Sequence, residues 1–226
     1  MMLFSAVAVL GLAAVPSDGV TGWVRFDGPR PESEVVDLRT DPLCSAKSVP
    51  TVEPMRVGPK GGVADVFVYV ENGPSGAYAQ ARQKPAVLDQ IGCRYVPQVL
   101  GVLVGQPLEI RNSDATVHMT RADIPDGFNV VTPRRGQRIR RRFGQHQVMV
   151  PVRCDVHPWM IAYVGVLDHP FFAVTDDGGR WRLPAGLPDG HYRFGFWHSK
   201  LGRHHRDVQV AQGRATIDIV LKRPQR

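Results

Sequence analysis

Three cysteines in 226 residues are too few to staple a fold throughout with disulfides, and the odd number leaves at least one thiol for other work. Apolar runs are short after the first fourteen residues, which excludes a later helix that spans a bilayer. Aromatic residues make up 8% and are not interleaved with the basic ones, so a net charge of +7 does not read as a nucleic-acid surface. No His-x-His pair occurs, so a multinuclear metal cluster built on such pairs has no ligands. Helix signals are nearly absent, with one weak stretch over 77–83.

What fills the chain instead is short β-branched runs between Gly, Pro, Asn and Asp clusters. Residues 20–26 alternate into Asp27-Gly28-Pro29, and 63–70 lie between Gly61-Gly62 and Asn72-Gly73-Pro74. The turn Gly105-Gln106-Pro107 joins 99–104 to 108–111 as a hairpin, and 128–131, 137–143, 148–152 and 161–167 follow at the spacing of a sandwich. After Asp168-His169-Pro170 the pattern starts again as a meander of short strands to 215–221. The expected fold class is therefore all-β. Residues 1–18 form a leader, with an apolar stretch to Ala14 and cleavage near Ala13 or Ala14, and the mature chain is expected in the periplasm or outside the cell. It divides into 19–167 and 168–226, with the strand 20–26 open to either unit.

Chemistry concentrates at Cys154-Asp155-Val156-His157-Pro158-Trp159-Met160. A thiolate and a thioether favour copper over hard cations, and two imidazoles with one thiolate and a weak axial Met form the electron-transfer type of copper site. Zinc rarely recruits Met. Val148, Val150, Val152 and Cys154 share one parity, so a strand that buries the valines turns the Cys154 sulfur inward. His157 precedes Pro158 and is thereby biased to extended backbone, which lets a short loop aim His157 and Met160 at an atom held by Cys154. The second imidazole is His118, after the strand-like run that ends in Asn112-Ser113-Asp114. The plain alternative is a buried cysteine that packs as a small hydrophobe beside a core turn.

Cys-x2-His-x2-Met after a hydrophobic strand, with an upstream His beyond an Asn-Ser-Asp strand end, resembles the cupredoxins, and the short loop is similar to the amicyanin type. The likeness runs from about Gly92 to Leu167. It implies a Greek-key β-sandwich with one copper ion held by His118, Cys154, His157 and Met160. The wider chain resembles secreted proteins that join a cupredoxin to a small transthyretin-like or carboxypeptidase-regulatory-like β-sandwich, here the C-terminal unit. One departure is Met119, where this family commonly places an Asn that ties the two ligand loops together.

With Cys154 engaged, Cys44 and Cys93 are left as a pair for a disulfide in an oxidising compartment, the alternative being two separate buried thiols. The positive charge gathers in Arg134, Arg135, Arg138, Arg140, Arg141 and Arg142, and either offers a docking face to an acidic redox protein or is a solvated face. Trp159 is a docking contact or a shield, and the His157 ring edge is the electron port if it reaches the surface. The expected role is an electron carrier, not an enzyme. Its rivals are a copper carrier or store, a metal-free interaction module, and, with Cys154 as nucleophile, a Cys-His hydrolase.

Overall fold

The computed structural model of the chain describes residues 19–32, 34–36, 41–45, 51–52, 55–76, 78 and 81–223. The expected leader lies outside the described residues, as do 77, 79 and 80 of the weak helix over 77–83, of which 81–83 form a turn. Among the described residues the structure is strands and turns, and the one helix is the single turn Pro42–Ser45. No helix among them is long and apolar enough to cross a membrane.

Four sheets of three or more strands pack as two sandwiches. The first sandwich sets Val99–Leu103, Ile161–Leu167, Gln147–Cys154, His118–Ala122 and Phe128–Thr132, in that spatial order, against Tyr95–Val96, Ala86–Gln90, Leu108–Asn112 and Arg138–Arg141. Leu88, Leu108 and Ile110 from one sheet meet Val152, Val164 and Val166 from the other, all without exposed surface. Two pairs in it are parallel, 99–103 with 161–167 and 86–90 with 108–112.

The second sandwich is assembled from both ends of the chain. Val20–Phe26 pairs with Arg180–Arg182, Ala215–Thr216 and Ile219–Leu221, which places it with the later unit. Phe67–Val70 pairs with Phe172–Val174 and Gly190–His198, and Gly202–Val210 completes that sheet. A division at residue 167 therefore cuts through hydrogen-bonded sheets, and the first sandwich is an insertion between strands of the second. The β-branched run 63–70 between turn residues marks a strand, but it holds no information on a strand partner more than one hundred residues away.

The two sandwiches touch through a third apolar cluster. Phe67, Tyr69, Phe172 and Trp197 pack against Val99, Met149, Tyr163 and Leu167. Gly101 and Gly165 make room for this: a Cβ on Gly165 would lie 2.3 Å from the Phe67 ring, and one on Gly101 2.2 Å from the Phe172 ring. Met149 has φ of 64°, and the register of 147–154 against 161–167 shifts between Gln147 and Val150. This bulge reverses the parity, so Val150, Val152 and Cys154 face the inner core while Val148 joins Met149 at the contact between sandwiches. The common parity expected for Val148 fails for that reason.

Candidate metal centre

The loop after the bulged strand is closed on itself. Cys154 N–H donates to the Met160 carbonyl at 3.1 Å and Met160 N–H to the His157 carbonyl at 2.9 Å, so the seven residues form one compact turn. Asp155 N–H donates to the Met119 carbonyl at 3.0 Å. The two ligand loops are thus tied through the Met119 backbone, the task the resemblance gives to an Asn side chain. His118 opens the strand 118–122 rather than ending the preceding run, which stops at Asn112. Asn112 builds the connection: its Nδ2 donates to the carbonyls of Thr116 and Thr132 at 2.8 and 2.7 Å, and its Oδ1 accepts from Asp114 N–H.

These supports bring three of the four expected ligands to one point. His118 Nδ1 and His157 Nδ1 lie 3.0 Å apart, and Cys154 Sγ lies 3.8 and 3.7 Å from them. His118 is wholly buried, His157 is 1% and Cys154 2% exposed. Met160 is also buried, in the same core cluster as Cys154, with its backbone closing the loop.

The remote nitrogens decide what the near ones can do. His118 Nε2 sits 3.1 Å from Asp114 Oδ2, and His157 Nε2 3.0 Å from Asp41 Oδ2. A carboxylate accepts a hydrogen bond, so each ring carries its proton on Nε2 and turns the Nδ1 lone pair toward the sulfur. Two lone pairs and a thiol then converge in a dry interior, an arrangement completed by a cation. Its sides of 3.0 to 3.8 Å suit donors of one first-row metal ion, whose bonds to nitrogen and sulfur run about 2.0–2.3 Å.

Charge in the site follows the same geometry. Burial opposes a thiolate at Cys154, but His118, His157 and the backbone amides of Met119 and His157 outweigh it and lower the thiol to about 6. Burial likewise opposes charge on both imidazoles, yet both are raised by the neighbouring thiolate and their carboxylates. Asp41, disfavoured by burial, is lowered to about 2 by the Thr116 hydroxyl, His157 and the Leu43 amide. Asp114 is lowered as well, against burial, by His118 and the Cys93 and Gly92 amides.

The disulfide Cys44–Cys93 is present, with Cα atoms 5.7 Å apart. Its place is unexpected, since Cys44 Sγ lies 3.6 Å from His157 Nε2 and the turn 41–45 covers the His157 ring. The His157 ring edge does not reach the surface, so the condition for its serving as an electron port is not met. Cys44 and Cys93 also stand with His157 as a second group of close donors, but their sulfurs are joined to each other. Trp159 packs beside the site: its Nε1–H donates to the Cys93 carbonyl at 3.1 Å and its ring lies 5.1 Å from that of His157.

The arginines divide. Arg134 and Arg135 stand exposed in the turn after Thr132, which pairs with His118, so they lie at the end of the sandwich that holds the site. Arg138 and Arg140 share Glu109, at 3.9 and 3.0 Å, and the strand carries Arg140, Arg141 and Arg142 away from that end. Asp41, Asp114 and a buried network beneath the site escaped sequence reasoning. In that network Gln90 Nε2 donates to Thr120 Oγ1 at 2.6 Å, and Thr132 Oγ1 donates to Gln90 Oε1 at 2.7 Å. Asp114 stood inside the quoted run before His118, while nothing links Asp41 to a histidine 116 residues later.

No family model matches the chain, and no curated protein matches it. Among solved structures it is similar over part of its length to cupredoxins. An oxidised amicyanin variant aligns with 44% of this chain and 97% of its own at 19% identity and a TM-score of 0.34. A purple cupredoxin from Nitrosopumilus maritimus aligns with 36% of this chain and 98% of its own at 21% identity and 0.30. A Cu-containing nitrite reductase from Thermus scotoductus SA-01 aligns with 38% of this chain at 24% identity and 0.33, and the chain spans only 23% of that protein.

Proposed function

We propose that this chain is an exported type 1 copper protein that carries single electrons between redox partners. His118, Cys154 and His157 would supply three strong donors to a copper ion, and Met160 a weaker thioether. The observation that carries this reading is the buried triangle of two Nδ1 atoms and one Sγ with a carboxylate on each remote nitrogen. Bound copper would supply the one-electron couple Cu(II)/Cu(I). The chain does the rest: it keeps a thiol that ionises at about 6 ready as a thiolate at neutral pH, excludes water from the donors, and fixes their separation by strands and a closed loop.

Burial of His157 favours electron carriage over copper handover. Exchange of the metal requires a recipient ligand to approach a donor, and all three are 2% exposed or less. Electrons cross the few covering atoms of Asp41 and Trp159 without displacing them. Leu43, Val117 and Val156 are exposed apolar side chains adjacent in sequence to Cys44, His118 and His157, and with Arg134 and Arg135 they suit a partner that has an apolar patch rimmed by acidic residues.

The test is the visible absorption and EPR spectrum of the mature protein after stoichiometric Cu(II), beside Cys154→Ala. An intense thiolate-to-copper band with narrow hyperfine splitting, lost in the variant, is the expected result. A spectrum without that band, unchanged by the substitution, overturns the reading.

A further inference from the structure

His118 Nε2 is met by a residue within the first sandwich, Asp114, but the contact on His157 Nε2 comes from outside it. It comes from Asp41, which precedes the first strand of that sandwich, Ala86–Gln90, by 45 residues. Its carboxylate is fully engaged: Oδ2 accepts from His157 Nε2–H at 3.0 Å and from Thr116 Oγ1–H at 2.6 Å, and Oδ1 accepts from Leu43 N–H at 2.8 Å. Three residues on, the Cys44–Cys93 disulfide fastens the turn to the sandwich, and Cys93 N–H donates to Asp114 Oδ2 at 2.9 Å. One crosslink thus steadies the carboxylates on both histidines. A surface turn with no task at the site would not need a buried crosslink and three donors on one side chain.

Building on the copper reading above, we propose that Asp41 is a positioning residue of the metal centre, locking the His157 ring so that Nδ1 faces the ion and favouring the oxidised metal through its negative charge. The physical reason is twofold. A carboxylate on the remote nitrogen fixes the tautomer and makes the ring a stronger donor. A second carboxylate beside a buried ion stabilises Cu(II) more than Cu(I), because the interaction scales with the charge on the metal. With Asp114 on the other ring, the site is biased toward a low reduction potential for its donor set.

Two variants of the full-length mature protein separate the two effects. Asp41→Asn keeps an acceptor for Nε2–H and removes the charge. It is expected to lower the ratio of Cu(II) to Cu(I) affinity, measured by chelator competition in each state, by about ten- to a hundredfold and to raise the reduction potential accordingly. Asp41→Glu should recover much of the ratio. Asp41→Ala removes both, so imidazole nitrogen NMR of the metal-free protein should show His157 change from a ring with a solvent-protected Nε2–H to an exchanging mixture of tautomers. Thr116→Val, which loosens Asp41 by one hydrogen bond, should move both readouts the same way and serves where Asp41→Ala does not fold. An affinity ratio in Asp41→Asn within twofold of the parent overturns the role of the charge, and an unchanged His157 tautomer in Asp41→Ala overturns the positioning. The NMR measurement needs no metal, so a parent protein that takes up no copper overturns the copper reading and the role of the charge with it, while the hold of Asp41 on the His157 ring is still decided by the tautomer in Asp41→Ala.

Discussion

Two lone pairs and a thiol facing one another at 3.0 to 3.8 Å in a dry interior favour any positive charge that can join them, whether a proton or a metal ion. In the metal-free protein the charge is a proton, shared among Sγ and the two Nδ1 atoms while each Nε2–H stays on its carboxylate, which is why the thiol falls to about 6 while both histidines rise. The sign of the pH effect follows. Folding favours the Cys154 thiolate, so its contribution to stability is full above the ordinary thiol value of 9.0 and is lost as the pH falls through about 6. The histidine contribution is full below 6.5 and lost as the pH rises through their raised values. Thiolate ultraviolet absorbance of the metal-free protein should therefore titrate with a midpoint near 6, and His118→Ala should move the midpoint up toward 9.0. Thermal denaturation of metal-free Cys154→Ser should show a loss against the parent at neutral pH that shrinks below pH 6. A midpoint near 9.0 in the parent contradicts the triangle. At this scale the sequence was legible where donors are close in the chain: Cys154, His157 and Met160 are set by one loop. Asp41 was not, because a side chain that acts across 116 residues leaves no local spacing to read.

The strands and turns that carry these residues have their own weak points. The closed segment between Cys44 and Cys93 spans 49 residues, and removing such a crosslink costs about 4 kcal/mol in the chain-entropy picture. For a protein of this size that is a fall in Tm of roughly 10 °C. Cys44→Ser with Cys93→Ser should show that fall in calorimetry, together with faster exchange of the His157 Nε2–H as the turn 41–45 loosens. A Tm within a degree or two of the parent would mean that the turn is held by Asp41 and Thr116 alone. Glycine matters at one approach in particular. Gly165→Ala pushes a methyl to 2.3 Å from the fully buried Phe67 ring and should cost about 1–3 kcal/mol through overpacking, although it lies far from any donor. Most strands were visible as β-branched runs, but Ala86–Gln90 was not, since Asp89 and Gln90 break the apolar pattern for reasons that only distant partners explain: Asp89 accepts from Ser113 Oγ, and Gln90 bonds to Thr120 and Thr132. Gly202–Val210 carries the polar run Arg203-His204-His205-Arg206 in place of a β-branched one, while it pairs along its whole length with Gly190–His198.

The whole molecule is joined by strands that leave one sandwich and return to it after the other is complete. The first sandwich contacts the second through Met149, Tyr163 and Leu167 against Phe67, Phe172 and Trp197, so the bulge that ends at Val150 serves both: it turns Met149 outward to the neighbouring sandwich and restores the parity that sends Cys154 inward to the site. The all-β class was readable from the turns and runs, but the insertion was not, because sequence order suggests consecutive units and only strand pairing reveals the return. The pairing yields a sharp expectation for truncation. A chain cut after Leu167 keeps His118, Cys154, His157 and Met160 and both sheets of the first sandwich, yet Val20–Phe26 and Phe67–Val70 lose their partners at 172–174, 180–182, 190–198, 215–216 and 219–221. Val24, Val66, Val68 and Val70, all without exposed surface in the full chain, would then face water beside unpaired strand edges. Such a fragment should aggregate on size-exclusion chromatography, and hydrogen exchange should show 20–26 and 67–70 unprotected while 147–154 and 161–167 stay protected. A monomeric fragment with protected amides in 67–70 would mean that the first sandwich and the amino-terminal strands form a unit of their own, and the insertion would lose its energetic meaning.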